Sequence, residues 1–207
     1  MTESKLGAPL PAKQKRSQQT RDQLLAAGWR LLARNPWDQI GVNDIVAAAK
    51  SSVGSFYSRF ADKESFFDSL ALQYLERRRQ SSEALIRELD PAGDYVSAVV
   101  MYVYDGVTTN RHFWFAAILK GVRVPGFWDP FRELGLLLGQ GFLKGRSAQL
   151  GRALTAEEVR NIRFAFQMMN GVINNALINR PGPIMIETRE FQTALVRGFR
   201  AVAGFEP

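Results

Sequence analysis

The chain has no cysteine and a single histidine, His112, among its 207 residues. Without cysteine there are no disulfides, no thiolate metal sites and no cysteine nucleophile. One histidine leaves no cluster for zinc or for a histidine base network. No glycine-rich phosphate loop, nucleophile elbow or metal-spaced set of ligands is present, so no catalytic role, cofactor or metal is expected. Long hydrophobic runs are lacking as well. The closest, Leu134 to Leu143, is interrupted by glycine and Gln140 and bracketed by Arg132, Glu133 and Lys144, and it falls short of the ~18 apolar residues of a membrane span. The first twenty residues carry proline and lysine but no apolar segment, unlike a secretory signal. The expectation is a cytoplasmic protein with no membrane partner and no enzymatic activity.

Positive charge, in contrast, is plentiful and uneven. The net charge is +7, and residues 1–63 hold ten basic groups against five acidic ones. Such an excess at one end favours a polyanionic partner, because each phosphate neutralised by Lys or Arg releases a counterion. A solvated basic surface is the plain alternative. Lys13, Lys15 and Arg16 read as part of a flexible basic arm that reaches along or into a minor groove, or else as a soluble tail.

The stretch Val42 to Phe66 reads as two short helices, a tight turn and a third helix start. Val42, Ile45, Val46 and Ala49 form one apolar face, Lys50 to Ser52 interrupt it, and Phe56 and Phe60 restart it four residues on. Val53, Ser55, Tyr57, Ser58 and Arg59 are left facing outward. These are short, hydroxylated or cationic side chains, suited to phosphates and base edges. The pattern is that of a helix-turn-helix, with an ordinary helical hairpin as the alternative.

A first helix rich in Leu and Ala, then Val-x-Asp-Ile at Val42–Ile45, Gly-Ser-Phe-Tyr at Gly54–Tyr57 and Phe-x-x-Lys-Glu at Phe60–Glu64 follow one another in register. Together they resemble the DNA-binding domain of the TetR family of bacterial transcriptional regulators over about the first 75 residues. The resemblance implies that Ser52, Val53, Ser55, Ser58 and Arg59 lie at base edges or nearby phosphates, and that Tyr57 and Lys63 hold phosphates. Val42, Asn43 and Lys50 complete the candidate contacts. Arg59 is the expected base reader, since a guanidinium pairs in a bidentate way with guanine. Five positions depart from the family pattern, among them Pro36 and Trp37, which replace a typical Gly and aromatic after the first helix. Lys50 stands where the turn usually has Gly, Ser51 where an apolar residue closes the turn, and Gly41 where a hydroxyl residue caps the second helix. Trp37, after Pro36, is expected to pack rather than bind.

Caps and periodicity give the remaining elements. The first helix is expected from Thr20, with Thr20 and Gln23 as a capping box, to Arg34. The second covers Val42 to Ala49, the third Val53 to Phe60 with Ser52 as N-cap, and the fourth runs from the cap Asp62 to Leu89. Beyond Pro91, helices are expected over Val96 to Val107, His112 to Arg123 and Asp129 to Leu150. Two more follow, one from Thr155 with Glu158 as a capping box and one over Glu187 to Ala203.

The fold class is therefore all-α: an N-terminal three-helix helix-turn-helix DNA-binding domain followed by a helical ligand-binding and dimerisation domain. Its expected divisions are a basic arm over 1–15, the DNA-binding domain over 16–62 with the motif at about 41–60, a linking helix over 63–89 and an effector and dimerisation domain over 90–207.

Val159, Ile162, Phe166, Met169 and Ile173 step by three and four like a heptad seam, and Phe191, Leu195, Phe199 and Val202 share a face of the last helix. In the family, helices so placed form a dimer interface; packing within one chain is the alternative. Tyr102, Asp105, His112, Trp114, Trp128, Gln167, Asn170 and Asn174 are the candidate lining of a pocket for a small apolar or aromatic effector. The resemblance implies a homodimer on double-stranded operator DNA, released when the effector moves helix four. The rival reading is a nonspecific nucleic-acid-binding or scaffold helical protein without an effector.

Overall fold

The computed structural model describes residues 12–90 and 92–205, with side chains from residue 16 onward. The chain divides after Ala71 into two compact units.

The first unit holds α1 (Ala12–Leu32), a short 3-10 turn (Trp37–Gln39), α2 (Val42–Ala48), α3 (Val53–Tyr57) and the start of α4 (Lys63–Glu88). Helix α1 begins eight residues before the expected cap, so residues 12–15 are helical rather than part of an arm. Nothing between Ala12 and Thr20 breaks a helix. Thr20 is an interior residue whose hydroxyl donates to the Arg16 carbonyl at 3.0 Å, the back-bond that lets threonine sit inside a helix.

Leu24, Leu25, Ala27 and Leu32 of α1 bury themselves against Ile45 and Val46 of α2 and against Phe56, Phe60, Phe66 and Phe67. Gly28 permits the closest approach, since a Cβ there would lie 2.8 Å from the Phe66 ring. Trp37 stacks on Phe66 with centroids 6.3 Å apart and lies 5.1 Å from Phe67. It packs, as expected.

The turn between α2 and α3 is a Schellman motif. Ser51 N–H donates to the Val46 carbonyl at 2.8 Å and Lys50 N–H to that of Ala47 at 3.1 Å, with Lys50 left-handed at φ 51°. Glycine would adopt this conformation without steric cost. Gly41 offers no capping side chain, but its own N–H donates to the Asp44 carboxylate at 2.7 Å. Helix α3 stops at Tyr57, three residues earlier than expected, although Phe60 still packs inward. Asp62 caps α4 by accepting the Ser65 N–H at 2.7 Å.

The second unit contains the rest of α4 with α5 (Tyr95–Thr108), α6 (Arg111–Arg123), α7 (Asp129–Leu150), α8 (Ala156–Asn179) and α9 (Arg189–Ala203). Asp94, Thr155 and Thr188 cap α5, α8 and α9 by accepting N–H groups three residues on. Thr155 and Glu158 form the expected capping box. Arg152 joins it, donating to both Glu158 oxygens, and these donors push the carboxyl down to about 2. The glycines of α7 do not break it. Gly141 lets Ile86 approach within 2.5 Å of where a Cβ would be, whereas Gly135 and Gly139 face open space.

The heptad-like seam is occupied within one chain. Ile162, Met169 and Ile173 of α8 and Phe191, Leu195 and Phe199 of α9 are buried in a core shared with α5 and with Phe142 of α7. Val159, Phe166 and Val202 are half-buried, and Phe166 meets Phe142 and Phe199 edge-on. Six of the nine residues expected at a dimer interface, Ile162, Met169, Ile173, Phe191, Leu195 and Phe199, are thus covered by helices of the same protomer. Among the described residues, no helix is long and apolar enough to cross a membrane.

Replacing Lys50 with glycine should relieve the left-handed strain and stabilise the first unit by roughly 0.5–1 kcal/mol, read as a rise in its thermal midpoint. An unchanged or lower midpoint would refute the strain.

Candidate functional site

Helix α3 gives the first unit its outward surface. Ser52 Oγ accepts the Ser55 N–H at 3.1 Å and pairs with Ser55 Oγ at 3.0 Å, so the two hydroxyls hold the helix start. Phe56 points inward, while Val53, Gly54, Tyr57 and Ser58 face solvent. Val53 is 41% exposed and Tyr57 54%, out of keeping with a unit whose other large apolar side chains are mostly buried. A valine methyl suits the methyl of thymine and a tyrosine hydroxyl suits a phosphate. At Gly54 a Cβ would meet nothing nearer than Ser52 Oγ at 3.9 Å, which leaves the helix surface low there.

Arg59, the expected base reader, is turned toward α1 and its own helix. Its Nε donates to the Ser17 carbonyl at 3.1 Å, and its Nη1 donates to the Ser55 carbonyl at 2.7 Å and to Ser58 Oγ at 2.8 Å. Three of its five N–H donors are engaged by these acceptors, and Arg59 braces α3 against α1. Arg30 does the same for α2, donating to the Ala48 carbonyl at 2.8 Å.

Lys63 is half-buried. Its ammonium donates to the Trp37 carbonyl at 2.8 Å and lies 4.5 Å from the Trp37 ring centre. Burial holds its pKa below the usual lysine value, against the opposing pull of Glu64, Asp38 and Asp44. Two of its three N–H donors remain for a phosphate. Arg16, Asn43 and Lys50 are exposed and Val42 is half-buried at the start of α2. The side chains of Lys13 and Lys15 lie outside the described residues.

Residues 24–70 match the family model of bacterial regulatory proteins, tetR family. Residues 24–70 thus form a TetR-type N-terminal domain. No curated protein matches the chain in sequence, but solved structures share its fold. A TetR-family transcriptional regulator from Mesorhizobium loti, itself described only provisionally, is 17% identical with a TM-score of 0.64, over 91% of this chain and 95% of that one. GusR of Salmonella enterica is 17% identical with a TM-score of 0.60, over 97% and 100%. Bacillus subtilis FadR, solved in complex with stearoyl-CoA, is 20% identical with a TM-score of 0.53, over 89% and 99%. The TetR-type helix-turn-helix is thus α2 and α3, and the second unit has the all-helical architecture of these regulators.

That second unit encloses a cavity of about 770 Å³ bounded by α4, α5, α6, α7 and α8. Tyr102, Trp114, Gln167 and Asn170 line it, as expected. Four other expected residues do not. Asp105 is exposed. His112 faces a separate cavity of about 250 Å³, where burial and Arg111 lower its pKa. Trp128 stacks on the outer side of Trp114 at 5.8 Å, and a Cβ on Gly121 would collide with it. Asn174 is half-buried, away from the cavity lining.

The inner wall is a polar cluster. Trp114 Nε1 donates to Tyr74 Oη and to the Gly106 carbonyl, both at 3.1 Å. Burial raises the Tyr74 pKa. The Arg78 guanidinium lies 3.5 Å from the Tyr102 ring centre and donates to the Tyr102 carbonyl at 2.9 Å. The Tyr102 hydroxyl is 2.9 Å from the hydroxyl of Ser82, a buried polar side chain.

Sequence reasoning missed Arg78, Arg132, Arg160, Arg163 and Phe164, all of which line the cavity. The signal was available on α8: Arg160, Arg163, Gln167 and Asn170 recur at i, i+3, i+7 and i+10, on a polar stripe beside the apolar seam.

Arg59→Ala should destabilise the first unit by roughly 1–2 kcal/mol through loss of a charged donor to backbone carbonyls. It should weaken binding to all operator variants alike. Thermal unfolding and competition between single-base operator variants check this, and a selective loss at one base pair would restore Arg59 as a reader.

Proposed function

We propose that the chain is a sequence-specific transcriptional regulator that binds a pseudo-palindromic operator as a homodimer and leaves it when a small molecule fills the cavity of the second unit. The observation that carries this reading is α3 itself: a capped, low-profile helix with an exposed valine and tyrosine, set inside the sequence that matches the TetR family. One such helix reaches only a few base pairs, so affinity and specificity call for two copies about one helical turn, or a multiple of it, apart. Phosphate attraction comes from Lys50, Arg16, Lys63 and Tyr57 around it. Repression is the simplest outcome of operator occupancy, and the cytoplasm is the compartment in which it acts.

With the buried seam committed to the protomer, dimerisation falls to the opposite face of α8. Met168, Gly171, Val172, Asn175 and Ile178 lie there at helical spacing, with Val172 41% and Ile178 38% exposed. A Cβ on Gly171 would meet nothing within 4 Å, which leaves room for a second helix to approach closely. Gly171→Arg should therefore keep the protomer folded but give a monomer by sedimentation, with operator affinity lowered at least about 10-fold. A dimeric Gly171→Arg protein would overturn this choice of face.

Release requires only that the effector bind the released conformation better. A preference of a few kcal/mol shifts occupancy strongly. The complex of FadR, which shares this fold, with stearoyl-CoA supports a small-molecule effector. Gly139→Leu, placed where a Cβ faces open space, should narrow the cavity and yield a protein that needs more effector to leave its operator.

The decisive experiment is selection of bound sequences from random duplex DNA by the purified protein. Enrichment of a palindrome with fixed half-site spacing is the expected result. Salt-sensitive binding with no enriched sequence would instead establish nonspecific nucleic-acid binding.

A further inference from the structure

The cavity combines two kinds of wall. Val103, Val107, Trp114, Phe131, Leu138 and Phe166 supply apolar surface, and Gly135 and Gly139 leave that surface open along α7. Its charged lining consists of Arg78, Arg132, Arg160 and Arg163, with no aspartate or glutamate. Arg132 is paired with Asp129 at the start of α7. Arg78 rests on the ring of Tyr102 and donates to that residue's carbonyl, so its charge is held in place but not neutralised. Arg160 and Arg163, one turn apart on α8, are exposed and make no ion pair among the described residues.

Arg78, Arg160 and Arg163 thus border one apolar space without an ionic partner among the described residues. A ligand that brings an anion receives the forked donors that carboxylates and phosphates match. An uncharged aromatic or aliphatic ligand would satisfy the walls and leave the arginines without a partner. A purely hydrophilic anion would satisfy the arginines and waste the apolar surface. A volume of about 770 Å³ falls within the ~300–1,000 Å³ of small-molecule sites.

We propose that this cavity takes an amphipathic anion, a carboxylate or phosphate head on an aliphatic or aromatic body. The head sits among Arg78, Arg160 and Arg163, and the body lies between α5 and α7. The inference rests on the reading of the cavity as an effector site and replaces a neutral apolar effector with a charged one.

Displacement of the fluorescent probe 1-anilinonaphthalene-8-sulfonate from the full-length protein tests it, with dodecanoate, dodecyl phosphate and dodecan-1-ol as competitors. The expected result is that at least one of the two anions displaces the probe at concentrations ten or more times lower than the alcohol does. Which anion does so identifies the head group. Arg160→Gln/Arg163→Gln and, separately, Arg78→Gln should shrink that gap while leaving displacement by the alcohol unchanged. Gly139→Leu should weaken the probe signal, which assigns it to this cavity. Equal displacement by anions and alcohol, or a gap that survives in all the arginine variants, would overturn the proposal. The measurement contains no DNA. Selective anion binding by a protein that still holds its operator would therefore support the ligand class and overturn only the release reading.

Discussion

Phe66 is the side chain on which the first unit depends. It sits in the first turns of α4, and it meets the bare backbone of α1 at Gly28, the Trp37 ring, and Phe56 and Phe60 around α3. Packing interiors at crystal-like density leaves little room for adjustment around such a residue. Its ring fixes how α1, the 3-10 turn and α3 are disposed, and the Arg59 and Arg30 bonds then secure the edges of that arrangement. The outward attitude of Val53 and Tyr57 follows from where Phe56 must point. The same helix goes on to supply Tyr74, Arg78 and Ser82 to the second unit.

The outward surface of α3 that results is modest in charge. Arg59 and Arg30 are turned to internal carbonyls, and the exposed face of α3 is made of hydroxyls, a valine, a glycine and a tyrosine. On the proposed reading, base discrimination by such a surface would rely on shape, on methyl contacts and on close approach at Gly54, with cations placed around the helix rather than on it. The turn at Lys50 is part of this pattern. It puts a positive group at the tip of the motif, in a backbone conformation that would favour glycine for stability alone.

Helix limits were largely legible in the sequence because caps act within a few residues. Asp129–Leu150 matches its expected bounds, and Thr155 with Glu158 forms the expected box. Ser52 and Asp62 begin their helices as the local pattern implies. The start of α1 was missed because Thr20 and Gln23 carry the letters of a cap while the preceding residues continue the helix. What a helix face packs against was not legible. The spacing of Ile162, Met169 and Ile173 is the same whether the facing helix belongs to a second chain or, as here, to α5 and α9 of the same one. Arg59 and the cavity arginines eluded the sequence for a related reason: a long cationic side chain reaches acceptors that are distant in the chain, such as Ser17, and periodicity carries no record of them.

The contact between Arg78 and Tyr102 has a consequence for dose. The guanidinium lies on the ring face and is bonded to the carbonyl of the same tyrosine, whose hydroxyl in turn donates to the Arg78 carbonyl at 3.0 Å. On the proposed reading, an anion would meet a guanidinium whose orientation Tyr102 has already fixed and whose other N–H donors are left for it, so binding would cost little side-chain ordering and a lower dose would suffice.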